Sequence, residues 1–110
     1  MIISQKQIEE FVEAVKKYNK TIENLYLAFI DCAPTALDAV RMLKIFEKLC
    51  YKFPLTETEI ELFTDISSHA VKRCLKLLIK LGLVKEEEVW DTIQYYPNVS
   101  DEFYRRYAEL

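Results

Sequence analysis

Glycine is nearly missing from this sequence: Gly82 is the only one in 110 residues. A loop that cradles phosphate needs several glycines so that backbone can approach the anion, and none can be built here. Histidine is equally scarce. His69 stands alone, so there is no H-E-x-x-H helix and no second histidine to pair with Cys or Ser, and G-x-S-x-G is also lacking. Cys32, Cys50 and Cys74 are widely spaced and form no C-x-x-C pair, which with one histidine argues against a structural zinc site. No metal and no cofactor is therefore expected, and the chain is not expected to be an enzyme. Two readings of the cysteines stand: buried thiols in a reducing compartment, or a disulfide within or between chains.

Long apolar runs are missing too. The longest, Leu25 to Ile30, is far too short to span a bilayer, so no membrane partner is implied. Lys6, Glu9 and Glu10 precede any apolar run, which leaves no secretory signal and makes the cytoplasm the expected location. What is present is ordinary for a folded domain: 51% apolar residues, 30% charged residues and a formal net charge of −3. The length suits one domain with one modest core.

The pattern reads as helices punctuated by caps. Ser4 and Gln7 form a capping box ahead of Ile8, Phe11, Val12 and Val15 at helical spacing, ending near Tyr18. Asn19–Lys20 is expected to break that helix, with Thr21 capping a second one that stops before Pro34. Thr35 and Asp38 open the longest helix, to about Lys52, whose face Leu37, Val40, Leu43, Phe46, Leu49 and Cys50 is expected at the centre of the core. Phe53-Pro54-Leu55 is extended, because the residue before proline avoids helix. Thr56 and Glu59 box the start of a short helix through Phe63, and Thr64-Asp65-Ile66 makes a tight turn. Ser67 is expected to cap, with its side chain, a helix over 67–81 that Gly82 terminates. Residues 83–87 and 92–96 predict two strands around a turn near Val89 to Asp91, and Ser100 caps a final helix with Phe103, Tyr107 and Leu110 on one stripe.

Helix, extended piece, short helix, three-residue turn, helix and hairpin is the order of a winged helix-turn-helix. The run from Leu55-Thr56 through Ile66-Ser67-Ser68-His69-Ala70-Val71-Lys72-Arg73-Cys74-Leu75 and Leu78 to Gly82-Leu83-Val84 resembles the MarR/ArsR-type regulators, over roughly residues 36 to 97. The Ile, Leu, Lys, Glu and Tyr content is similar to that of thermophilic archaeal and archaeal-virus proteins. The resemblance implies a mainly α fold with a small β-hairpin wing: an N-terminal helical extension (1–33), the winged helix-turn-helix (35–97) and a C-terminal helix (100–110). It also implies a double-stranded DNA partner, a homodimer and transcription regulation, while no residue identifies a small-molecule effector. The outer helices are similar to MarR-type dimerisation elements, with Tyr18, Tyr26, Phe29, Phe103, Tyr104 and Tyr107 serving either an interface or the core.

With Val71, Leu75 and Leu78 turned inward, the candidate DNA-binding residues are Ser68, His69, Lys72, Arg73, Lys76 and Lys80. Arg73 has the fork that matches guanine, and Lys72, Lys76 and Lys80 suit phosphates. A plain solvated helix face is the competing reading of each. Residues 67 to 85 contain five basic residues and no acid, and the central helix adds Arg41, Lys44, Lys48 and Lys52 along one face.

Three departures from the family pattern shape the expectations. Glu61 stands where a small apolar residue is usual, a costly place for a charge unless the helix rotates or Glu61 reaches solvent. Asp65 replaces the glycine of the turn, which it tolerates in a left-handed conformation. Glu86, Glu87, Glu88 and Asp91 make the wing acidic, so it is expected to avoid the phosphate backbone or to be too short to reach it. The acidic wing, with an apolar line Ala70, Cys74, Leu77 and Leu81 offset from Val71, motivates the alternative of a winged-helix protein–protein interaction module without DNA binding.

Overall fold

The computed structural model describes residues 3–108. Helix α1 (Gln5–Cys32) starts where the Ser4 hydroxyl accepts the Gln7 amide and Gln7 Oε1 accepts the Ser4 amide. The expected break at Asn19–Lys20 does not occur, and α1 runs unbroken for 28 residues. Thr21 does not cap a second helix: its hydroxyl donates back to the Lys17 carbonyl at 2.8 Å, as a threonine inside a helix does. Asn and Lys cost a helix only tenths of a kcal/mol, about a fifth of what proline would, so a local dip in pattern does not end it.

Helix α2 (Ala36–Tyr51) is capped by Thr35, whose hydroxyl accepts the Asp38 amide at 3.1 Å. It lies at the centre of the core, as expected, but on a rotated face. Asp38, Ala39, Met42, Ile45, Phe46 and Leu49 are buried, while Leu37, Val40 and Cys50 are exposed. Apolar residues occur on most sides of this helix, and the buried carboxylate of Asp38, paired across to the neighbouring helix, marks the side turned inward.

Strand β1 (Leu55–Thr56) follows cis-Pro54 and pairs antiparallel with β3 (Thr92–Pro97), so the segment expected to be merely extended joins the sheet. Helix α3 (Glu57–Thr64) opens with the predicted capping box of Thr56 and Glu59. It ends at Asp65, whose φ of 56° is the left-handed conformation expected of that turn. Ile66 is buried beneath the turn, and Glu61 is partly exposed. Helix α4 (Ser68–Lys80) follows, and Gly82 terminates it at φ +78°. Strand β2 (Val84–Val89) pairs with β3 from Val84↔Pro97 to Val89↔Thr92, giving the sheet order β1-β3-β2. Asn98 locks the base of the hairpin: its amide donates to Leu83 O, and its side chain to Gly82 O, both at 2.8 Å.

Ser100 caps α5 (Asp101–Phe103), which continues as a π-helical turn (Tyr104–Ala108) rather than as the regular helix expected. Leu110 lies outside the described residues. Phe103 sits 5.7 Å from Phe46 and 5.2 Å from Tyr107, ring centre to ring centre. Asn24 of α1 donates to Tyr107 O at 2.9 Å. Phe29, Phe103 and Tyr107 are therefore core residues, Tyr26 is half-buried, and only Tyr18 and Tyr104 of the six aromatics remain largely exposed. The element order is that of a winged helix-turn-helix with helical additions at both ends.

Candidate nucleic-acid interface

Val71, Leu75 and Leu78 seat α4 against the core, and the offset line behind them is covered too. Ala70 and Cys74 are buried against α2, with Cys74 Sγ 3.8 Å from the Asp38 carbonyl, and Leu77 and Leu81 pack half-buried on the core. Burial pushes the Cys74 thiol up to about 11, so it is neutral at ordinary pH. The cysteines are free; Cys74 is buried, Cys32 half-buried and Cys50 exposed, which corrects a uniformly buried reading.

The opposite face of α4 carries Ser68, His69, Lys72, Arg73, Lys76 and Lys80, all exposed. Ser67 occupies the cap position, yet its side chain makes no bond to the helix. The expected side-chain cap is absent, and the first amides of α4 have no capping oxygen from Ser67 to occupy them.

Arg73 does more than face outward. Its Nε donates to Asp38 Oδ2 and its Nη2 to Asp38 Oδ1, both at 2.9 Å, and Arg41 Nη1 reaches the same Oδ1 at 3.0 Å. Asp38 is 2% exposed, whereas the Arg73 side chain keeps nearly half its surface. Hydrogen bonds from Arg73, and then from Arg41, hold the Asp38 carboxyl below its ordinary range. A guanidinium gripped along its Nε–Nη2 side still presents its Nη1–Nη2 end, so Asp38 aims Arg73 rather than consuming it. Sequence reasoning placed Asp38 only as a helix-cap residue. The missing signal was a contact 35 positions away, which no local pattern carries.

The wing does not share this charge. Glu86, Glu87, Glu88 and Asp91 are exposed on it, as the sequence implied, and Trp90 sits unshielded at its tip. Glu57, partly buried at the start of α3, and Glu86 both raise the Tyr95 phenol further after burial has already raised it. The basic stripe expected on α2 divides. Arg41 belongs to the Asp38 cluster, whereas Lys44 and Lys48 border a cleft between α2 and α3, with Lys52 Nζ 4.4 Å from the Phe63 ring centre.

Helix α1 adds a second surface. Ile8, Phe11, Val15, Tyr18, Ile22, Leu25, Phe29 and Cys32 follow one another in alternating steps of three and four, a seam four heptads long. Leu25 and Phe29 are buried in the molecule's own core, but Ile8, Phe11, Val15 and Tyr18 stand exposed, Phe11 to 70%. Every charged residue of α1, from Lys6 to Asp31, lies off the seam and off its two flanking rows. The flanks are Gln5, Gln7, Val12, Ala14, Asn19, Thr21, Tyr26 and Ala28.

Among the described residues no three His, Cys, Asp or Glu side chains gather to hold a metal ion, and no helix is long and apolar enough to cross a membrane. No family model matches the sequence, and no curated protein matches it. Solved structures do. The oxidized form of MarR from E. coli superposes with a TM-score of 0.53 at 17% identity, over 97% of this chain and 76% of that one. Human N-acetylserotonin methyltransferase in complex with SAM gives 0.50 at 17% identity, over 98% of this chain but only 27% of the enzyme. At these identities the likeness concerns the fold. The protein has a MarR-like winged-helix fold, mainly α with a small three-stranded antiparallel sheet.

Proposed function

We propose that this chain is a non-enzymatic, sequence-specific double-stranded DNA-binding protein, a transcription regulator acting inside the cell as a homodimer. One observation carries the reading: the exposed face of α4 holds Lys72, Arg73, Lys76 and Lys80, and no acidic residue falls between 67 and 85. A helix that keeps such a face exposed while its other side is packed on the core fits a major groove, whose width admits it. Ser68 and His69, at its N-terminal turn, are assigned to the groove floor. Lys72, Lys76 and Lys80 are assigned to phosphates. Arg73 is assigned to a guanine, its free end held in position by Asp38.

The homodimer reading rests on α1. Its outer seam is apolar and charge-free on both flanks, and the partner face it needs must be the same. A second α1 supplies that face, so the chain complements itself. Residues 5–17 extend about 20 Å at 1.5 Å per residue, enough for two helices to cross with several apolar layers between them. Pairing there sets two α4 helices a fixed distance apart, and a two-fold dimer reads a palindromic site with half-sites about one helical turn apart.

Fluorescence anisotropy on a mixed-sequence duplex tests the reading. Binding at low salt that weakens steeply as salt rises is expected, because each neutralised phosphate releases counterions. Absence of binding at the lowest salt would refute it. Nothing favours the interaction-module alternative through its apolar line, since α4's second apolar row is covered.

A further inference from the structure

The wing ends in the chain's single tryptophan, and that residue is 94% exposed. Val89 pairs with Thr92, so Trp90 and Asp91 alone make the turn, with φ of 52° and 64°. Two positive φ values in a two-residue connection belong to the turn type that favours Asn-Gly. A bulky indole is a poor choice there, since side chains other than Gly, Asn and Asp meet steric resistance in the left-handed region. Local stability therefore does not explain Trp90, and packing does not either. Below it stand Glu86, Glu87 and Glu88, with Asp91 beside it, and exposed Ile93 adds to the apolar tip.

The same molecule carries a surface of opposite character. Between α2 and α3 lies an open cleft of about 480 Å³ whose lining includes Tyr51, Phe63, Lys44 and Lys48. Lys52 adds a third cation over the Phe63 ring. Tyr51 is 89% exposed, an aromatic ring with nothing against it. Glu47, the one acid in the lining, accepts a hydrogen bond from the Tyr18 hydroxyl at 2.8 Å.

We propose that the Trp90 wing tip of one copy docks into the α2–α3 cleft of a second copy, the indole against Tyr51 and Phe63 and the acidic stalk against Lys44, Lys48 and Lys52. The shapes and charges match: an apolar knob on four carboxylates, and an aromatic floor edged by three ammonium groups. Lysines beside an indole add cation–π attraction, for which tryptophan is the best ring. The hairpin is paired along its whole length, so the tip cannot turn back onto its own cleft without losing strand pairing. The two surfaces differ, so the contact either closes reciprocally within a pair or repeats head to tail. It uses neither the α1 seam nor the exposed face of α4. One anchored ring makes a small, weak interface in free solution, strengthened between copies held side by side on one duplex.

Trp90 is its own reporter. Emission and acrylamide quenching are followed on the full chain at low salt from about 1 μM to about 1 mM, the range in which contacts this small form. The emission maximum is expected to move to shorter wavelength, and quenching to fall about two-fold, as the indole leaves water. Reversing the stalk (Glu87→Lys with Glu88→Lys) or the cleft (Lys44→Glu with Lys48→Glu) is expected to abolish the change. Mixing the two variants restores it. All four positions are at the surface, and circular dichroism confirms that each variant is folded. Emission that stays that of a water-exposed indole throughout, or a shift that survives both reversals, overturns the proposal.

Discussion

The carboxylate of Asp38, near the start of α2, grips the guanidinium of Arg73, midway along α4, through two hydrogen bonds of 2.9 Å. This fixes α4 to the central helix by something more directional than apolar contact. It also holds the one arginine of the exposed α4 face in a set orientation, removing rotamer freedom that binding would otherwise have to remove.

Asp38→Asn is expected to destabilise the fold by about 1–3 kcal/mol at neutral pH, the lower part of that range applying because both arginines can rehydrate. The pH dependence has a definite sign. The Asp38 carboxyl is held below its ordinary range in the folded protein, so its contribution is complete above about pH 4 and is lost as pH falls through the depressed folded value. Urea unfolding at several pH values checks this: native and variant curves should converge in acid and separate above it. The same substitution is expected to blunt base discrimination more than total DNA affinity.

Two caps that look alike in sequence are expected to differ in strength. Thr56 and Glu59 form a complete reciprocal box, so Thr56→Ala should cost about 1 kcal/mol. The Ser67 side chain makes no bond to α4, only its backbone carbonyl does, so Ser67→Ala should leave the denaturation midpoint nearly unchanged. Equal losses in thermal or urea unfolding would contradict the assignment.

The order of elements was legible because local chemistry announces it. Thr35, Thr56, Ser100 and Gly82 each stop or start an element within a residue or two of the expected place. The errors have a common cause in contacts that lie far apart along the chain. The expected break at Asn19–Lys20 is the exception: those residues lie off the apolar seam, and the step from Tyr18 to Ile22 carries the helical spacing across them. The buried face of α2 turned on Asp38 meeting Arg73, and β1 joined the sheet through Leu55 meeting Tyr95, forty residues on. The outward set on α4 could be read because Val71, Leu75 and Leu78 alone determine which way the helix faces. Trp90 was not singled out, since a turn position says nothing about what a side chain is for.

The seam on α1 gives a prediction that separates assembly from folding. If the proposed homodimer pairs through this seam, Phe11→Glu with Val15→Glu is expected to convert it to a monomer, read by light scattering behind a sizing column. Both side chains are exposed in the single chain, so helical content and the unfolding of the core should persist in the monomer. An unchanged mass would rule out pairing through this face.

Trp90→Asn should trade interaction for stability. Asn suits the left-handed conformation that tryptophan resists, so the hairpin should gain about 1 kcal/mol, visible as a higher unfolding midpoint. Self-association at high concentration should weaken in parallel, which sedimentation equilibrium can read without the tryptophan signal.

The most direct test of the central claim compares the native chain with Lys72→Ala combined with Lys76→Ala, on one duplex across a salt series. Both lysines are exposed on α4, so the fold should be untouched. If α4 sits in the groove with Lys72 and Lys76 on phosphates, log affinity falls linearly with log salt, and the double variant lowers the magnitude of that slope by about two. Native binding with an identical slope in the variant would show that α4 is not the DNA-binding surface.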